Sequence, residues 1–310
     1  MSWRTRLPKL RPLLVAAFLL LAAWLLWRQA RSIDWREVVV ALADYPHSQL
    51  VLAALAAVVA HACYCGLDLI ARTYTRHHLP WPRVLAIAFV SYALTLNIGG
   101  TVGGIGFRYR LYSRDGLGVA TISRIVAFAI AGNWSGFLLL AGLVFVVHPV
   151  PLPQRWDVAE AAQRLLGAGL LALLAGALAM AAWSRRRRWS WRGHQIELPS
   201  LSFALRQIAV ATASWLAIAN LLQLLLPDDI GYMTTLGVLL WSVLANLIIR
   251  VPANLGVLEA VFLAMLGSHA PAPAILAALL AYRALFYIGP LLLALAVYAW
   301  LEASARRRQR

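Results

Sequence analysis

The chain has 310 residues, 62% of them apolar and only 13% charged. Soluble domains carry roughly 45–50% apolar residues, so no water-facing surface can be built around this excess. The formal net charge of +16 would suit a nucleic-acid binder, but the arginines stand between apolar runs, which points to membrane topology and away from nucleic acid.

In chain order, the first apolar run, 12–27, ends in Trp27-Arg28-Gln29-Ala30-Arg31 with no small-residue cleavage site, and reads as an uncleaved span. Residues 33–45 read as a short interfacial helix with Asp34 at its N-cap and Glu37 three residues on. The next span, 48–70, holds Cys63 and Cys65, whose two-residue spacing puts them on different helix faces, against a disulfide or a metal pair. His77-His78 follows in a basic loop without further ligands, and no metal or other cofactor is expected.

Residues 84–98 supply only 15 apolar positions before Asn97-Ile-Gly99-Gly100-Thr-Val-Gly103-Gly104-Ile-Gly106, and arginines follow at once. A full crossing needs about 20 residues and would put Arg108, Arg110 and Arg114 outside, so 84–114 is expected to re-enter and return as a hairpin. Its glycines supply the permissive backbone of the turn. Spans at 119–147, 160–183 and 201–226 come next. The stretch 231–267 is broken at Arg250-Val-Pro252-Ala-Asn254-Leu-Gly256 and reads as a second hairpin, dipping in from the other side. The last span is 274–300.

The fold class is thus all-α and polytopic: about six full spans plus two re-entrant hairpins in one transmembrane domain. Arginines gather on alternate connections, which places both termini in the cytoplasm of a bacterial inner membrane. Each hairpin precedes a long span, so 48–147 with hairpin 84–114 and 201–300 with hairpin 231–267 have the outline of an inverted repeat, as in transporters. An offset of 150 aligns Gly106 with Gly256 and Asn133 with Arg283.

Ionisable groups at membrane depth are the first candidates for function. Arg283, between Tyr282 and Tyr287, can contact a lipid phosphate through its forked guanidinium, or form an internal salt bridge with Glu259 or Asp68. Arg108 and Arg110 either line a cavity open to the cytoplasm or serve as ordinary positive-inside charge. Arg250 stands beside the second break. Glu259 suits the positive end of a helix dipole or a proton-coupling role. Asn133, Asn254 and other span-depth asparagines suit interhelical hydrogen bonds. The returning half-helices, starting near Gly104–Gly106 and Asn254–Gly256, would aim N-termini at an anion. No catalytic motif is visible: the glycine-rich segment lacks a following G-K-[ST] and a preceding strand, so no enzymatic activity is expected.

The segments Gly99–Gly116, Val251–Ala260 and Leu279–Tyr287 resemble YbhN-like members of the lysylphosphatidylglycerol synthase transmembrane-region family, over nearly the whole chain. Relatives of the MprF type imply flipping of an aminoacylated phospholipid, with synthesis in a separate cytosolic domain that would follow Arg310, so aminoacylation is not expected here. The family's second motif, P-x-G-x-G-x-x-E, is met by Pro252, Gly256 and Glu259, while Asn254 stands for a glycine. The resemblance implies a lipid translocase or lipid-handling transporter for an anionic phospholipid or modified phospholipid. The alternative is a non-catalytic accessory subunit of a phospholipid-synthesising enzyme, with that enzyme as partner.

Overall fold

The computed structural model describes residues 45–152, 160–184, 188–191, 194–197, 199–249 and 254–308, with Arg36, Val40 and Ala43 as single helical positions. The expected span 12–27, the cap of the expected helix 33–45, Arg250 and Pro252 lie outside the described residues. In order come α1 (His47–Thr75), α2 (Trp81–Ile98), a π-wound segment (Gly100–Gly106) running into α3 (Phe107–Arg114), α4 (Val119–Val147) and α5 (Glu160–Trp183). An antiparallel ribbon of β1 (Arg188–Trp191) and β2 (His194–Glu197) follows. Then come α6 (Leu201–Leu225), α7 (Tyr232–Ile249), α8 (Val257–Leu266), α9 (Ala272–Arg283), a π-wound turn (Ala284–Ile288) and α10 (Gly289–Arg308).

Among the described residues, seven stretches are long and apolar enough to cross a membrane: α1, α2, α4, α5, α6, α7 and Ala272–Ser304. α2 is 18 residues long, three more than the apolar run 84–98 suggested, because Pro80 at its N-cap and a proline in its first turn start the helix upstream. Proline plays the same part before α1 at Pro46 and before α9 at Pro271.

The first half of α1 is apolar on both faces but sorted by size. Ala53, Ala56, Ala57 and Ala60 are buried, whereas Val51, Leu52, Leu55, Val58 and Val59 are exposed. Small residues inside let helices approach closely, and large ones outside suit lipid. α1 lies along α6 in the most extensive helix pair, with α4 against both. Gly136 of α4 sits on the α6 backbone, where an added Cβ would stand 2.6 Å from the Ala211 Cβ. Hydrogen bonds cross the same seams: Ser214 Oγ donates to the Ala60 carbonyl at 2.9 Å, and Gln207 Nε2 to that of Phe128 at 2.8 Å. With no water to satisfy them in lipid, these groups must find partners across helices.

The glycine-rich segment folds the chain back on α2. Gly99 adopts φ 104°, closed to L side chains, and the return path then rides on the α2 main chain. A Cβ on Gly103 would stand 2.3 Å from the Leu94 carbonyl carbon, and one on Gly104 2.7 Å from Thr95 Oγ1. The two ends of the fold-back meet: Arg83, in the first turn of α2, donates to both oxygens of Asp115, just after α3, at 2.5 and 2.8 Å.

Candidate functional site

Asp68, on the buried face of α1, is the anchor of the first fold-back. Arg108 reaches it with two parallel bonds, Nε to Oδ2 at 3.1 Å and Nη2 to Oδ1 at 2.9 Å, and Tyr112 donates to Oδ2 at 3.0 Å. Arg108 also donates to the Gly104 carbonyl at 3.2 Å and lies over the Tyr64 ring. Arg108 is only 3% exposed and Asp68 fully buried. Removing one partner of such a pair strands a charge, at about 3–5 kcal/mol. The π-wound segment continues into α3, with the Phe107 amide bonded to the Val102 carbonyl, so the free helix N-terminus expected near Gly104–Gly106 does not form.

The second centre lies at the second break. Arg283 donates through Nε to Glu259 Oε1 at 2.5 Å and through Nη2 to the Asn254 carbonyl at 3.1 Å. The other Glu259 oxygen accepts the Gly256 amide at 2.9 Å, so the start of α8, where an anion was expected, is capped by the chain's own carboxylate. Asn254 and Gly256 both take positive φ, 53° and 77°. The Asn254 side-chain oxygen is buried without a hydrogen-bond partner among the described residues. This centre is more open than the first: the Arg283 side chain is 9% exposed and that of Glu259 17%.

Between the two centres runs a buried aromatic layer. Tyr64 stacks on Tyr92 with centroids 3.5 Å apart, His61 packs edge-on against Phe286 at 4.7 Å, and Phe286 stacks on Tyr282 at 5.4 Å. Arg283 lies over the Tyr287 ring at 5.5 Å. Asn97, at the end of α2, donates to the Tyr287 carbonyl at 3.2 Å and so ties the first fold-back to the π-wound turn that follows Arg283.

Arg110 is set apart from these centres. Its side chain is 60% exposed and pairs with Glu302 of α10 at 3.3 Å, over the Tyr298 ring. Arg114 takes the other Glu302 oxygen at 2.8 Å and donates to the Leu301 carbonyl. Beside them, at the foot of the fold-back, a cavity of about 640 Å³ is lined by His78, Arg83, Arg114, Asp115, Trp300 and Ser304.

Of the residues chosen from sequence, Arg283, Glu259, Asn254 and Gly256 come together at one centre, and Tyr282 backs it through its hydroxyl contact with Tyr287. Arg108 belongs to the other centre. Gly99, Gly100, Gly103, Gly104 and Gly106 form the turn itself. Asn133 is elsewhere: its carbonyl accepts Trp215 Nε1 on the α4–α6 seam. Sequence reasoning named Asp68 only as a partner for Arg283 and passed over Tyr64, Tyr92, His61, Arg83 and Asp115. An aspartate near the inner end of the apolar run 48–70 was the available signal for Asp68.

Residues 14–294 match the family described as Lysylphosphatidylglycerol synthase TM region. The chain is 43% identical over 279 residues to Inner membrane protein YbhN of Escherichia coli (strain K12), covering 90% of this chain and 88% of that protein. It is also 27% identical over 318 residues to an uncharacterized protein of a Synechocystis strain, covering 100% of this chain and 98% of the relative. The chain therefore belongs to the lysylphosphatidylglycerol synthase transmembrane-region family and is a multi-pass membrane protein.

Proposed function

We propose that this protein moves a phospholipid with an anionic headgroup across the bilayer of a bacterial inner membrane, without chemical change to the lipid, and with both termini in the cytoplasm. The observation that carries this reading is the Arg283 centre, a buried guanidinium at a broken helix, held by a carboxylate in a partly open setting. Glu259 acts there as a stand-in for the substrate. When a lipid phosphate arrives, it exchanges with the carboxylate on the same fork, so the guanidinium is never left uncompensated at membrane depth. Arg108 is too enclosed for such an exchange, and its pair with Asp68 holds the first fold-back to α1. The cavity at the foot of that fold-back gives the headgroup a first resting place, with Arg83 and Arg114 beside it and the exposed Trp300 at its rim.

The test is transbilayer movement of fluorescent phosphatidylglycerol, cardiolipin and phosphatidylethanolamine in proteoliposomes. Arg283→Ala should slow movement of the anionic lipids at least tenfold, and Glu259→Gln with Arg283→Gln should do the same while leaving no stranded charge to unfold the protein. Normal movement in the double variant would remove Arg283 from the headgroup path. No movement by folded wild type would sink transport and favour an accessory subunit of a phospholipid-synthesising enzyme.

A further inference from the structure

The aromatic layer contains a titratable group that the two centres do not use. His61 is the middle residue of α1, with 14 residues on either side, and so stands about 20 Å from each end of the helix, at mid-bilayer depth. It is 5% exposed. Its Nδ1 bonds the Ala57 carbonyl at 2.9 Å, which fixes the proton of the neutral ring on Nδ1. Nε2 then carries a lone pair, and it is buried with no hydrogen-bond partner among the described residues.

Aromatic rings surround the imidazole. Phe286 at 4.7 Å, Tyr92 at 5.0 Å and Phe89 at 6.0 Å present three rings to the imidazole in edge-on or tilted geometry, and a ring that turned its negative face to the imidazole would accommodate the protonated form. The groups facing it are Tyr92 from α2 and, past Phe286, Tyr282 and Tyr287 from α9 and the π-wound turn. Tyr64 and Cys65 follow on α1 itself, and α6 brings Ser214, whose hydroxyl is engaged by Ala60. On α4 the ionisable group is Arg124, in the second turn of the helix. The cations that border the layer, Arg108 and Arg283, are each neutralised by a carboxylate. Asp68 and Glu259 are therefore committed to arginines, whereas Nε2 of His61, midway along α1, has no partner among the described residues.

We propose that His61 is the proton site of the transport cycle, so that lipid movement is coupled to a proton gradient; this rests on the lipid-transport reading above. A proton from one side adds to the Nε2 lone pair, giving an imidazolium with Nδ1–H still on Ala57, and the same proton leaves Nε2 toward the other side. The link to the substrate is Phe286, three residues beyond Arg283 in the π-wound turn, together with Tyr92, five residues before Asn97, which grips that turn at Tyr287. Irregular helical turns of this kind can shift register without unravelling the helix.

The experiment measures movement of fluorescent phosphatidylglycerol in proteoliposomes with an entrapped pH dye, at equal pH and under an imposed gradient of two pH units. Wild type should move lipid at least fivefold faster with the gradient in one direction than without it, while the dye reports proton movement in step with lipid. In His61→Gln that ratio should fall to one, and in Phe286→Leu it should fall by half or more. A wild type that moves lipid with a ratio of one overturns the proposal, as does a folded His61→Gln that keeps the wild-type ratio. If His61→Gln does not fold, an undiminished ratio in Phe286→Leu overturns it instead. A wild type that moves no lipid under either condition removes the transport reading itself.

Discussion

His77 sits in the connection between α1 and α2 with Nδ1 accepting the Leu79 amide at 3.3 Å, which leaves its proton on a buried Nε2. Burial, then the nearby Arg72 cation, lowers its affinity for a proton below the ordinary 6.5. The folded state thus keeps the ring neutral where the unfolded chain would take up a proton. Above about pH 6.5 both states are neutral and His77 makes no difference; as pH falls through that value the unfolded state alone is protonated and stability is lost. Thermal unfolding in detergent should show wild type losing more stability than His77→Asn between pH 7.5 and 5.5; parallel pH profiles would contradict the assignment. The neighbouring His78 is exposed at the cavity rim, so the pair divides into one structural and one accessible ring.

At the scale of elements, the fold-back of α2 onto α3 depends on main chain lying on main chain. Gly103→Ala would drive a methyl group into the Leu94 carbonyl, and should destabilise by about 3 kcal/mol or more, at the upper end for overpacked sites. Gly100→Ala, with open space where its Cβ would go, should cost far less; equal midpoints for the two variants in a denaturation series would refute the close approach. The Arg83–Asp115 pair bears on topology, since it holds both ends of the fold-back together. With Cys63 and Cys65 replaced by alanine, single cysteines at Arg76 and Gly116 should be labelled by an impermeant reagent from the same side of the membrane. Labelling from opposite sides would mean that 84–114 crosses.

How much of this was readable beforehand follows from range. The glycine turn is local, and the sequence shows it because φ freedom is decided within a few residues; the proline starts are equally local, but the apolar run 84–98 leaves out the helix start that Pro80 sets upstream of it. Partner choice is not local. Arg283 had two acidic candidates, Glu259 at 24 residues and Asp68 on another helix, and only the packing of α1 against the first fold-back assigns Asp68 to Arg108. His61 lies in a run of alanines that reads as helix filler, and becomes visible only when Phe286, from the far end of the chain, closes over it.

For the whole molecule, the connection between the two halves is slight compared with what holds them together. Between α5 and α6 the described chain is a ribbon of two four-residue strands, with Arg188 opposite Glu197. The bond between the halves lies instead in the α1–α6 seam and in α4 against α6, where glycine contacts and cross-helix hydrogen bonds concentrate. The peptide link at the ribbon is therefore dispensable to the assembled form. Two separately translated fragments, 1–192 and 193–310, should find each other in the membrane and co-purify through a tag on either one. Failure of the pair to co-purify would mean that the ribbon is needed to bring the seam together. Success would turn the protein into a two-piece reporter whose halves can be mutated and mixed at will.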